Sequence, residues 1–219
     1  PSPDGKWIAS IDQDQELWLL EIESGKSRRL RFSPGWNLGL PSWSPDSRWL
    51  AYTMPAANQL QRIHLAPVDG GEEIVLTGDR FDSSDPCWSP DGNWLYFLSR
   101  RNFDSLVRSP WGSRAPDPYF PEQTGLYALA LRENLRFPFA PDDELQPAAE
   151  EESDDDEEAA ELKVEIDAEG IRERLYELPL PYGNYAGLRL AGSRLFWLSR
   201  ATGRAMPRDL MMLGIGNAD

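Results

Sequence analysis

Trp43-Ser-Pro-Asp-Ser-Arg-Trp-Leu-Ala-Tyr52 is repeated, without gaps, as Pro1-Ser-Pro-Asp-Gly-Lys-Trp-Ile-Ala-Ser10 and Trp88-Ser-Pro-Asp-Gly-Asn-Trp-Leu-Tyr-Phe97. The aligned serines are Ser2, Ser44 and Ser89, spaced 42 and 45 residues apart. A period of roughly 40–45 residues is that of a four-stranded propeller blade. In each copy the Pro presets φ for the start of a β-turn, the Asp hydrogen-bonds the backbone within it, and the Gly accepts positive φ at its end. Ser47 stands where the other copies have Gly, which predicts a strained turn or one of another type. After the turn, Trp49, Ala51 and Thr53 fall on one face of a strand and Leu50 and Tyr52 on the other. Apolar residues on both faces suit a blade held between two neighbours. These Ser and Asp residues are therefore read as shaping hairpins, not as nucleophiles or bases.

Outward from the repeat, each period supplies outer strands. Glu16–Ile22 and Ser27–Leu30 follow the first copy, and Gln61–Pro67 and Glu73–Thr77 follow the second. In the third, Gly125–Leu131 and Arg172–Leu178 read as the outer pair. A fourth unit, without Ser-Pro-Asp, runs from Gly183–Leu190 through Arg194–Ser199 to Asp209–Leu213. The predicted fold is all-β: a β-propeller of four-stranded antiparallel blades with TolB/WD-like repeats, about four blades, in an incomplete ring. Its blades are placed at about 1–32, 37–78 and 83–180, with a partial blade at 183–219. A ring normally closes with roughly four to eight blades, and an open one leaves strand edges exposed. The chain is accordingly expected to be part of a larger ring.

Composition narrows the chemistry. With one His (His64) and one Cys (Cys87), the chain can build neither an internal disulfide nor a zinc site from His and Cys ligands. His64 lies in the alternating run Arg62-Ile-His-Leu65, which predicts a structural or surface role, not catalysis. The net charge of −15 is local: residues 142–169 hold 15 acidic residues and one basic, leaving 22 acidic and 21 basic elsewhere. Such a stretch repels itself and cannot bury apolar area, so an acidic disordered insert is expected at 142–165. It lacks the ligand spacing and Gly turn of a dedicated calcium loop. Residues Arg100-Arg-Asn-Phe-Asp104 follow an inner strand directly and so fall at a rim of the propeller. Arg100, Arg101 and Phe103 are the candidate substrate contacts there, against the plainer reading of a surface ion pair with Asp104. No catalytic residue, metal or cofactor is expected, and no nucleic-acid or membrane partner.

The Ser-Pro-Asp repeats alone are shared by TolB propellers and by those of prolyl-oligopeptidase-type enzymes. Leu98-Ser-Arg-Arg-Asn-Phe-Asp104, Ile166-Asp-Ala-Glu-Gly-Ile-Arg-Glu-Arg174 and Leu178-Pro-Leu-Pro-Tyr-Gly-Asn-Tyr-Ala-Gly-Leu188 together resemble the tricorn protease family, as does an acidic insert between the last outer strands. Ser105 and Tyr182 depart from that pattern. The resemblance covers essentially the whole chain. It implies part of the seven-bladed second propeller of a cytoplasmic, homo-oligomeric (typically hexameric) serine peptidase. Peptides would pass through the propeller to or from a catalytic site outside this chain. A TolB-like protein-binding scaffold and the propeller lid of a prolyl-oligopeptidase-type hydrolase are the alternatives.

Overall fold

The computed structural model describes residues 1–34, 38–105, 120–141, 162–202 and 207–216. Fourteen strands form four antiparallel sheets among these residues. Blade I contains β1 (Trp7–Ile11), β2 (Glu16–Glu21) and β3 (Ser27–Phe32). Blade II contains β4 (Ser42–Trp43), β5 (Trp49–Pro55), β6 (Gln61–Pro67) and β7 (Ile74–Val75). Blade III contains β8 (Asp82–Trp88), β9 (Trp94–Arg100), β10 (Thr124–Ala130) and β11 (Leu175–Glu177), and blade IV contains β12 (Asn184–Ala191), β13 (Arg194–Arg200) and β14 (Arg208–Gly214). Within every sheet, strands adjacent in sequence are adjacent in space. The fold is an incomplete β-propeller.

The repeated turns share one bonding scheme. The Ser44 hydroxyl donates to Asp46 Oδ1 (2.6 Å) and accepts the Trp49 N–H (2.9 Å), while Asp46 Oδ1 also accepts the Arg48 N–H (3.1 Å). Ser2 and Asp4 repeat this with Trp7 and Lys6 at 2.6, 2.9 and 3.1 Å. Ser89 donates to Asp91, and the two accept the N–H groups of Trp94 (2.8 Å) and Asn93 (3.1 Å). All three serines are buried, and a buried hydroxyl must be paired. Ser47 adopts the same left-handed conformation (φ 61°) as Gly5 (72°) and Gly92 (70°), so the turn type is unchanged. Its Oγ accepts the Asp4 N–H of the neighbouring turn at 3.0 Å, linking blades I and II.

Alternation along each strand sends side chains into two different interfaces. Leu50 and Tyr52 pack with Leu17 and Leu19 between blades I and II. Ala51 packs with Ile63, Leu65, Leu95, Phe97 and Leu129 between blades II and III. On the other face of β9, Trp94, Tyr96 and Leu98 meet Leu188, Leu195 and Trp197 between blades III and IV. A fully buried aliphatic or aromatic side chain contributes roughly 1.5–3 kcal/mol relative to exposure, so these interfaces, and not the thin individual sheets, supply most of the stability.

Two expectations are corrected. Residues 142–161 of the expected disordered insert lie outside the described residues, but 162–165 are described and docked. Val164 is buried in the interface between blades II and III, and its N–H donates to Asp46 Oδ2 at 2.8 Å. The Arg172–Leu178 strand is shorter than expected: a 3-10 turn, Ile171–Glu173, precedes β11, with Ile171 buried in the same cluster as Val164.

Ser47→Ala keeps the left-handed strain and removes the link to Asp4, so urea unfolding should show a loss of about 1 kcal/mol. Ser47→Gly removes both the link and the strain and should lie within about 0.5 kcal/mol of the parent, because the strain on a non-Gly residue at this φ is of similar size to the lost bond. Equal losses for the two variants would contradict this account.

Candidate functional site

Blade III has a long connection at each end of its strands. Asp82, Arg100 and Thr124 lie in register across β8, β9 and β10, and Thr124 bridges Gly183 ahead of β12. This edge carries the connection from β9 to β10, which begins with Arg101 and Phe103. The opposite edge carries the Ser-Pro-Asp turns and the connection from β10 to β11, which contains the acidic stretch. The two therefore open onto opposite mouths of the propeller.

At the first mouth the three candidates have different surroundings. Arg100 is 61 % exposed and pairs loosely with Asp82 (3.7 Å), whose Oδ1 also accepts the Gln61 N–H of blade II (2.9 Å). Phe103 is 56 % exposed, stacks on Phe81 (centroids 6.2 Å apart) and meets Phe120 edge-on (6.3 Å). Arg101 is half-buried. Its guanidinium lies over the rings of Tyr127 (4.5 Å) and Phe81 (4.8 Å), and its Nε donates to Ser99 Oγ (3.1 Å). The expected pairing with Asp104 is not formed among the described residues; the Asp104 N–H instead bonds Asn102 Oδ1 (3.3 Å). The two arginines instead contact Asp82 and the rings of Phe81 and Tyr127.

Behind Arg101 is a polar aromatic layer that sequence reasoning missed. The hydroxyls of Tyr127 and Tyr182 are 3.2 Å apart, and Glu177 lies opposite Tyr127 across β10 and β11. Burial first, then the Tyr182 hydroxyl and the Glu177 charge, push the Tyr127 phenol up. Desolvation pulls the Arg101 guanidinium down from its ordinary value, although arginine remains charged in such settings. Tyr182 fits because Gly125 lacks a side chain: a Cβ there would lie 2.9 Å from the Tyr182 ring.

The axial surface contains a second group of residues that were not singled out in advance. A cavity of about 490 Å³ is bounded by Trp43, Ser84, Asp85, Cys87 and Arg189, among others, on the innermost strands of blades II, III and IV. Both β8 and β12 bulge here. Asp85 (φ 52°) sits in the register shift between Ser84 and Cys87, and Gly187 (φ 68°) in that between Ala186 and Arg189. Asp85 Oδ2 accepts the Gly187 N–H (3.0 Å), and Arg189 approaches Oδ1 (3.9 Å). Bulges re-aim side chains, and these bring a carboxylate and a guanidinium to the wall of the cavity.

His64 and Cys87 are both buried. His64 is buried on β6, stacks on Tyr52 (5.7 Å) and contacts the Glu73 carboxylate through Nδ1. Arg31 of blade I pairs with Glu73 at 3.0 Å, so the group ties blade I to blade II. Desolvation opposes ionisation of Glu73, but the bond and charge of His64 and the charge of Arg31 outweigh it and hold its carboxyl below the usual range. Burial pushes the Cys87 thiol up to about 12. Among the described residues no group of three or more His, Cys, Asp or Glu side chains is arranged to hold a metal ion, and no helix is long and apolar enough to cross a membrane.

Antiparallel blades of three or four described strands, each sharing a core with its neighbour, define an incomplete β-propeller. The chain belongs to the tricorn protease family: the family model for the tricorn protease second beta propeller domain matches residues 1–210. It is 30 % identical over 215 residues to Tricorn protease homolog 1 of Streptomyces coelicolor, covering 95 % of this chain and 20 % of that protein. The tricorn protease homolog of Saccharolobus solfataricus is 30 % identical over 198 residues, covering 88 % of this chain and 16 % of the relative. The chain thus spans a fifth or less of these relatives. The crystal structure of the tricorn protease matches 98 % of the chain with a TM-score of 0.73 at 19 % identity, and TolB from Acinetobacter baumannii matches 98 % with a TM-score of 0.58 at 17 % identity. At these identities the structural matches speak to fold alone.

Two outcomes follow for the buried groups. A native-state challenge with iodoacetamide at mildly alkaline pH should leave Cys87 unmodified, since thiolate is the reactive form, and denaturation should expose it to rapid alkylation. Because the folded Glu73 carboxyl is depressed, its stabilising contribution is complete above its ordinary value of 4.5 and is lost as pH falls through the depressed value. The stability difference between the parent and Glu73→Gln, read by urea unfolding, should therefore be constant at neutral pH and shrink in acid. A difference that grew on acidification would contradict the ion-pair role.

Proposed function

We propose that this chain is a non-catalytic propeller segment of a tricorn-like serine peptidase. It gates or channels peptides to or from a catalytic site outside the chain. The observation that carries this reading is the axial cavity, whose wall is polar and charged where two facing bulges turn Asp85 and Arg189 onto it. A channel lined by backbone edges and a few charged groups suits extended peptides, which present repeating carbonyl and N–H groups. Family membership supports the same reading. Arg100 and Phe103, exposed at one mouth, are the proposed first contacts for an arriving peptide. The parent protein is proposed to be cytoplasmic and homo-oligomeric, with peptides as its substrates.

The test is a size filter. Ser84→Trp places a large ring on the exposed inner strand without touching the packed interfaces. In the intact protein it should lower kcat/KM several-fold for long peptides while leaving short chromogenic peptides nearly unchanged. Equal effects on both lengths, or none on either, would exclude passage along this wall.

A further inference from the structure

Arg101 differs from the other arginines at the first mouth. It is half-buried, its guanidinium lies over the rings of Tyr127 and Phe81, and Nε is fixed by Ser99 Oγ. The Ser99 hydroxyl is itself oriented by donating to the Asp82 carbonyl oxygen (3.0 Å). The guanidinium plane is thus held over two rings and by one of its five donors. Among the described residues no carboxylate or carbonyl pairs with its terminal Nη groups, whereas Arg100 beside it has Asp82. Glu177, opposite Tyr127 across β10 and β11, acts on Arg101 through its charge but forms no ion pair with it. A guanidinium removed from bulk water normally satisfies its donors with an anion or carbonyl groups.

We infer that Arg101 is a carboxylate anchor: its free Nη edge takes a peptide carboxylate in the paired N–H···O geometry that an arginine fork and a carboxylate share. The rings confer two properties. They hold the guanidinium in place, so little side-chain entropy is lost on binding, and they lower the local dielectric, which strengthens the pair. Phe103, Phe81 and Phe120 beside it offer an apolar surface for the side chain next to the carboxylate. The inference rests on the proposed peptide path and deepens it by naming the chemical group recognised. That carboxylate is either the peptide's own C-terminus or an acidic side chain.

The experiment is fluorescence anisotropy on the intact protein with three N-terminally labelled neutral peptides of equal length. One ends in a free carboxylate, one in an amide, and one in an amide with an internal Glu. The free acid should bind about tenfold more tightly than the plain amide, the scale expected of a charge-assisted hydrogen bond. If the Glu-bearing amide alone gains affinity, the anchor stands and the source is a side chain. Arg101→Gln should abolish the preference while the melting temperature stays near the parent's. Arg101→Lys keeps charge and stem but not the fork and should lower the preference several-fold; it also provides the reading if Arg101→Gln does not fold. Equal binding of all three peptides, a failure of all three to bind, or a preference unchanged in either variant overturns the inference. Binding is read without turnover, so a carboxylate preference in a protein that cleaves no peptide would sink the peptidase reading and leave the anchor standing.

Discussion

The hydroxyl of Ser44 accepts the Trp49 N–H and donates to Asp46, and the same few atoms close the hairpin in blades I and III. Because strand side chains alternate with period two, a one-residue slip in that hairpin would exchange the two faces of β5. Leu50 and Tyr52 would then face blade III, and Ala51 would face blade I. Every interface depends on that registration, since each blade is too thin to own a core and shares one with each neighbour. The buried hydroxyl thus acts at a distance. It sets which apolar residues meet between blades, and through them where the inner strands stand around the axis.

The architecture was legible in the sequence to the extent that it is local. Turn chemistry and alternation are properties of a few consecutive residues, so the three Ser-Pro-Asp hairpins and their flanking strands could be placed directly. The positions of Arg100 and Phe103 at a rim follow from their place at the end of β9 and just beyond it. What could not be read was set by contacts between distant segments. The partners of Arg101 are Phe81 and Tyr127, and the Tyr182 hydroxyl behind them comes from the connection between blades III and IV. The bulges at Asp85 and Gly187 satisfy each other across a blade interface, and neither residue predicts a register shift alone. Val164 was overlooked for another reason. The surrounding acidity dominated the reading, although Val164 and Ile166 alternate with Lys163, Glu165 and Asp167, the pattern of a segment with one buried side.

The contrast between Arg100 and Arg101 shows how adjacent residues of one type come to have separate roles. Arg100 ends a strand, remains largely solvated and has a carboxylate near it, so its charge is screened and its position loose. Arg101 turns back over the blade and meets rings that exclude water. Asp85 and Arg189 show the same economy of means on the inner strands: irregular backbone, not a special residue type, brings opposite charges to one cavity.

Asp46 uses both of its oxygens, closing its own hairpin through Oδ1 and receiving the Val164 N–H on Oδ2. This has a consequence for the order of assembly. β11 pairs with β10 across the longest connection in the chain, and such distant pairing is slow because ordering entropy must be lost before contacts compensate it. Val164 and Ile171 reach the interface of blades II and III just before β11 begins. Once blades II and III have met, these two residues moor the returning chain against them, and closing the outer strand becomes a short-range event. The fourth blade enters immediately after β11, so the timing of this one docking governs when the propeller can continue to grow.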